Sequence, residues 1–166
     1  MQGGSGAQIG ELIHRQLETF IPAADRFECD GPIVDISPDA TQAIGLALHE
    51  LATNAVKHGA WSVAGGRVKV SWKSVIKRST NNMLRIKWFE RDGPAVAAPT
   101  RKGFGHVVIE KMAAQRVKGA PELLFEPEGL SWTLTDADTH IIAADEPGLR
   151  WGTAGLMPNK LNRVEA

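Results

Sequence analysis

The sequence predicts a two-layer α/β sandwich in which one sheet is covered on one face by three helices. Three observations carry this. Apolar residues recur at helical spacing in separated segments, two pairs of runs alternate with period two, and hairpins and helices are segregated along the chain. In order, Ile9, Leu12, Ile13, Leu17 and Phe20 make one buried stripe on a helix over 7–20, which Pro22 ends. Ile33 to Ile36, between Gly31-Pro32 and Ser37-Pro38, reads as a short strand. Ser37 as N-cap and Pro38 at the first helical position open a long, largely buried helix that runs to His58 and stops at Gly59. Val68, Val70 and Trp72 alternate with polar residues, as do Leu84, Ile86 and Trp88, which predicts an antiparallel hairpin with one core face. Pro94 to Lys102 is a Pro- and Ala-rich loop, and a helix is expected over 105–118. A last hairpin pairs 122–126 with 130–134 around Pro127-Glu128-Gly129.

Length and composition bound the rest. At 166 residues one domain with a tail is expected: 1–6 as a flexible leader or cloning remnant, 7–136 as the folded domain, and 137–166 as a tail of unknown role, with room for a short helix over 159–164. No apolar run is long enough to span a bilayer. With 19 Lys+Arg against 19 Asp+Glu, broad neutralisation of nucleic-acid phosphates is not the expected work, although a small cationic site is compatible with that balance. The single cysteine, Cys29, forms neither an internal disulfide nor a cysteine-based metal cluster, and reads as an ordinary residue near a loop.

The chemistry concentrates in His49-Glu50-Leu51-Ala52-Thr53-Asn54-Ala55-Val56-Lys57-His58-Gly59. On a helix Glu50, Asn54, Lys57 and His58 stand at i, i+4, i+7 and i+8, so an acid, an amide, a cation and an imidazole share one face. Two readings fit: a solvated face, or a polar cleft in which the amide oxygen suits Mg²⁺, the lysine meets phosphate and the carboxylate acts as a base. Further along, Trp88-Phe89-Glu90-Arg91-Asp92-Gly93-Pro94 places acids and a glycine turn where a strand ends. An acid there can accept from an exocyclic amine such as that of adenine. Gly103-Phe104-Gly105, preceded by Arg101 and Lys102, opens a helix whose N–H groups suit phosphate.

In this order the residues resemble the GHKL ATP-binding fold shared by histidine kinases, type II topoisomerases, Hsp90 and MutL. His49 before Glu50, with Trp88-x-Glu90, resembles the HWE subfamily of bacterial sensor histidine kinases. The likeness covers about Glu11 to Leu134 and includes Ala60-Trp61-Ser62 and Pro127-Glu128-Gly129-Leu130. The resemblance implies the GHKL (Bergerat) sandwich, a mixed sheet with about three helices on one face, binding ATP and Mg²⁺. It implies that Glu50 is the catalytic acid of the N box, Asn54 the Mg²⁺ ligand, and Lys57 and His58 neighbours of the phosphates or sugar. Glu90 or Asp92, beside Gly93, would bind the adenine amine, 94–102 would form a short lid, and Gly103, Phe104 and Gly105, with Arg101 and Lys102, the phosphate-side box. His49 would orient the site or be a partly buried histidine satisfied by the sheet. Trp88 would be core first and a platform for the nucleotide edge second.

The expected function follows: transfer of the ATP γ-phosphoryl to a histidine on a separate dimerisation domain, then to a response regulator, in a cytoplasmic, homodimeric full-length protein with no nucleic-acid or direct membrane contact for this domain. His14-Arg15 resembles a phosphoacceptor only superficially, because 9–20 matches the segment joining the helix pair to the nucleotide domain. The alternatives are a non-catalytic nucleotide-binding module, and a stand-alone GHKL ATPase or anti-sigma-type serine kinase.

Overall fold

A computed structural model describes residues 6–76, 82–94, 119–136, 141–143, 150–151 and 158–159. The predicted loop beyond Pro94 and the helix expected over 105–118 lie outside the described residues, as do Arg101, Lys102, Gly103, Phe104 and Gly105.

Helix α1 runs over Ile9–Leu17 and buries Ile9, Leu12, Ile13 and Leu17. It is shorter than its apolar period suggests, because Ala7–Gln8 is a short strand, β1, paired antiparallel with β3, Asp35–Ile36. Helix α2, Pro38–Lys57, starts where local chemistry places it: the Ala40 N–H donates to Ser37 Oγ at 3.1 Å, with Pro38 in the first turn. Its far end is closed by Gly59, whose N–H donates to the carbonyls of Asn54 and Ala55. The buried side of α2, including Ile44, Leu48, Leu51 and Ala55, packs on the sheet and on α1.

The sheet is built on the expected hairpin, β4 (Arg67–Ile76) and β5 (Asn82–Arg91), with Val70 opposite Trp88 and Trp72 opposite Ile86. Strands β6 (Gly119–Glu126) and β7 (Gly129–Asp136) form the last hairpin, and β7 pairs with β5, placing Trp132 opposite Trp88. Trp72, Trp88 and Trp132 are fully buried, and large aromatic surfaces of this kind supply much of a small core's driving force.

Besides the short strands at the two ends of the chain, one strand of the central sheet was not legible in the sequence. Residues Phe27–Pro32 form β2, which runs parallel to β4, so the sheet is mixed and α2 lies in the crossover between them. The predicted strand over 33–36 is reduced to β3. Inward positions of β2 are Phe27, Cys29 and Gly31, and after Phe27 they are too small to announce a core strand. Gly31 is required by its neighbour: a Cβ there would stand 2.3 Å from the Trp72 ring. The Trp72 indole N–H in turn donates to the Pro32 carbonyl at 2.6 Å. Cys29 is therefore a core residue and not a loop residue, and burial, then the neighbouring Asp30 charge, pushes its thiol up to about 11.

Parts of the C-terminal region join the sheets. β8 (Ile141–Ala143) pairs with β3, and β9 (Arg150–Trp151) pairs with β2 and with β10 (Pro158–Asn159). The larger sheet has the order β10-β9-β2-β4-β5-β7-β6. Asn159, expected to open a short helix, is in β10; residues 160–164 lie outside the described residues.

Candidate nucleotide site

The C-terminal half of α2 places its polar residues away from the core. Glu50 and Asn54 are half-buried, and Lys57 and His58 are exposed at the helix end. Hard oxygen donors one turn apart, followed by a cation, form a donor set that fits a magnesium-bound polyphosphate. His49 lies off this face. It is exposed and packs edge to face against Phe20, with ring centroids 5.3 Å apart, so it is not a buried histidine satisfied by the sheet. Thr53 Oγ1 donates to the His49 carbonyl at 2.9 Å, a bond within the helix.

The strand-end motif meets this helix end through Glu90. Its carboxylate is 4% exposed; Oε2 accepts from the Ala60 N–H at 3.0 Å and Oε1 from the Trp88 indole N–H at 3.1 Å. Burial pushes the Glu90 carboxyl above its ordinary value of 4.5, while the bonds from Ala60 and Trp88 work in the opposite direction. Two glycines permit this approach. A Cβ on Gly59 would lie 2.4 Å from Glu90 Oε2, and one on Gly93 would lie 2.8 Å from Ala60 Cα. Asp92, between them in the chain, is exposed and takes a left-handed backbone with φ 55°, which Asp tolerates better than most residues. The end of α2 and the Glu90–Gly93 turn are thereby brought side by side.

Trp88 is 0% exposed, so its ring is core and presents no face to a ligand; it reaches the site by holding Glu90. Its other contact is edge to face with Trp61, at 5.7 Å between centroids.

A further residue, Arg26, carries part of the architecture and has no sequence signal. It sits in a single 3₁₀ turn, Ala24–Arg26, just before β2. Its guanidinium donates to three carbonyls of the loop after α2: Gly66 at 2.8 Å, Val63 at 2.6 Å and Ala60 at 3.2 Å. The Trp61 indole N–H returns a bond to the Arg26 carbonyl at 3.1 Å. Ala60 is thus held from both sides, its N–H by Glu90 and its carbonyl by Arg26. Charge-assisted bonds of this type are roughly twice as strong as neutral ones.

A long helix with a polar C-terminal face lies on a mixed sheet against an acid-bearing strand end, the arrangement expected of the GHKL fold. No protein-family profile matches the sequence. Over 127 residues, 76% of the chain, it is 35% identical to a blue-light-activated histidine kinase of Brucella anthropi. Over 129 residues, 78% of the chain, it is 35% identical to a protein of the same name from Rhizobium johnstonii. The chain spans 26% and 36% of the lengths of these relatives. The histidine kinase domain of the Erythrobacter litoralis EL346 blue-light activated histidine kinase superposes with a TM-score of 0.60, covering 82% of this chain and 65% of that one. At 17% identity this likeness concerns the fold. By these likenesses the chain is similar to part of the blue-light-activated histidine kinases and has the fold of histidine kinase domains.

Proposed function

We propose that this chain binds ATP with Mg²⁺ beside the C-terminal face of α2 and delivers the γ-phosphoryl to a histidine on a dimerisation domain, in the manner of HWE-type kinases. The observation that carries the reading is the junction at Ala60, where Glu90 and Gly93 pack the acidic strand end against the last turn of the helix bearing Glu50, Asn54, Lys57 and His58. An acid-bearing strand end beside an amide, a carboxylate and a cation matches the chemistry of the two ends of a nucleotide.

In this reading Asn54 supplies an amide oxygen to Mg²⁺, which when bound neutralises phosphate charge. Lys57 and His58 face the phosphates or sugar. Glu50 accepts or orients the proton of the attacking imidazole, the part of the reaction that needs a base. His49 stands beside Glu50 in the HWE pattern and packs on Phe20. The adenine amine is accepted at the Glu90/Asp92 end, where Asp92 is exposed and both Glu90 oxygens already accept from Ala60 and Trp88, and Arg101, Lys102, Gly103, Phe104 and Gly105 complete the phosphate side. The phosphoryl acceptor, a downstream response regulator, a homodimeric full-length protein and a cytoplasmic location follow from the same reading. Among the described residues no helix is long and apolar enough to cross a membrane.

Nucleotide discrimination tests the placement. An acid that accepts the adenine amine meets a carbonyl in GTP, and a mispaired buried group costs about 1–3 kcal/mol, so ATP should bind at least about tenfold more tightly. Titration of ATP and GTP into Glu90→Gln and Asp92→Ala assigns the reader: its variant loses the preference. Equal discrimination by both variants and the parent chain would remove this end from the site.

A further inference from the structure

The face of the sheet opposite the helices carries a charge pattern that the nucleotide site does not use. Outward positions on β4 are Arg67, Lys69, Ser71 and Lys73, and those on β5 are Arg85, Lys87, Phe89 and Arg91. Six cations therefore lie on two adjacent strands of a chain whose formal net charge is zero. No acid occupies an outward position on either strand. Acids stand instead on β2, which flanks β4, and on β6, which β7 separates from β5: Glu28 and Asp30 on the first, Glu122 and Glu126 on the second.

The register makes the pattern costly. Arg67 is directly opposite Arg91, and Lys73 directly opposite Arg85. Like charges at facing positions of an antiparallel pair destabilise it. Part of the cost is offset locally: Arg91 and Lys87 lie over the Phe89 ring, at 4.9 and 5.4 Å from its centroid, and Lys69 approaches Glu28 at 3.9 Å. At the Arg67–Arg91 end the cations border a cavity of about 190 Å³ that Phe89, Lys69 and the acids Asp25, Glu28 and Asp92 also line, so compensation is strongest there, while Lys73 and Arg85 still face each other at the other end.

We propose that this stripe is a docking surface for an acidic, amphipathic helix of a partner protein. Two strands make a basic band roughly 10 Å wide, and six residue steps along β4 make it about 20 Å long. A helix of three to four turns has about that width and length. Its carboxylates would face the cationic pairs and one apolar side chain would meet Phe89. The acids on β2 and, beyond the neutral Ser131, Thr133 and Thr135 of β7, on β6 disfavour a flat anionic bilayer or a nucleic-acid backbone, either of which would extend over them, whereas a narrow helix fits between them.

The test is a fluorescence-polarisation titration of the intact chain with a 14-residue helical Glu/Leu peptide and its Gln/Leu counterpart, at low and high salt. The acidic peptide should bind at least about tenfold more tightly, and lose that margin at high salt. The double variant Arg67→Glu, Lys87→Glu should lose it as well while keeping the parent affinity for ATP. Thermal melting checks that the double variant is folded, and Arg67→Glu alone should raise the melting temperature by placing an acid opposite Arg91. Equal affinity for the two peptides, an unaltered margin in the folded double variant, or tighter binding to phosphatidylserine vesicles or duplex DNA would each overturn the proposal.

Discussion

Glu90 offers the sharpest perturbation, because both of its oxygens are spoken for inside the protein. Glu90→Ala leaves the Ala60 N–H and the Trp88 indole N–H without their acceptor in a buried place. Each orphaned donor costs about 1–3 kcal/mol, so the loss is about 2–6 kcal/mol. That corresponds to a fall of roughly 4–24 °C in melting temperature for a domain of this size. Glu90→Gln behaves differently: it keeps one acceptor, turns an amide N–H₂ toward the other donor, and removes the burden of burying a charge. Because burial outweighs the two bonds in setting the Glu90 carboxyl, this variant should stay close to the parent in stability. The sign of the pH dependence follows from the same fact. Between 4.5 and the raised native value, the folded chain holds a proton that the unfolded chain has released, so the Glu90 contribution falls as pH rises through that window. Urea melts of parent and Gln variant across the window read it as a difference: the parent should lose stability relative to the Gln variant as pH increases. A Glu90→Ala variant within about 0.5 kcal/mol of the parent would refute the clamp, and a parent that gains on the Gln variant with rising pH would refute the dominance of burial.

Three further outcomes are expected. Asn54→Ala should weaken magnesium-dependent ATP binding while leaving the melting temperature near that of the parent, since Asn54 is only half-buried; calorimetric titration with and without Mg²⁺ reads this, and an unchanged Mg²⁺ dependence would remove Asn54 from the metal. Arg26→Ala should cost about 1.5–3 kcal/mol and speed amide hydrogen exchange over 60–66, the loop it holds by three carbonyls; unchanged exchange there would show that the clamp is dispensable. Gly31→Ala should destabilise by about 1–3 kcal/mol or more, because its Cβ would stand 2.3 Å from the Trp72 ring, and a chemical melt within error of the parent would contradict this contact.

The parts of this fold legible in the sequence are those specified by local chemistry. Ser37, Pro38 and Gly59 set the limits of α2 without help from distant residues, and the alternation around Val70 and Trp88 is enough to predict the β4–β5 hairpin. Strand β2 was illegible because its inward Cys29 and Gly31 carry little apolar signal, and Gly31 is small for a distant reason, the Trp72 ring that needs the space. The start of α1 was overestimated because helical periodicity does not register that residues 7–8 find a strand partner at 35–36. The site shows the same division. Spacing alone puts Glu50, Asn54, Lys57 and His58 on one face, and the acid-glycine turn marks the strand end. That Glu90 is anchored by Ala60 and Trp88, or that Arg26 grips carbonyls 34 to 40 residues on, depends on tertiary contacts that no local pattern encodes.

The central claim, that this domain donates the ATP γ-phosphoryl to a histidine, is tested most directly by mixing the chain with a separately prepared histidine-bearing dimerisation domain and γ-labelled ATP. Label should appear on the dimerisation domain as an acid-labile, base-stable adduct, and Glu50→Gln should slow its formation on the order of 10²-fold while retaining most ATP binding. Acid-stable label would indicate a serine kinase, and ATP binding with no label on the acceptor domain would indicate a regulatory nucleotide module; either result would contradict the assignment.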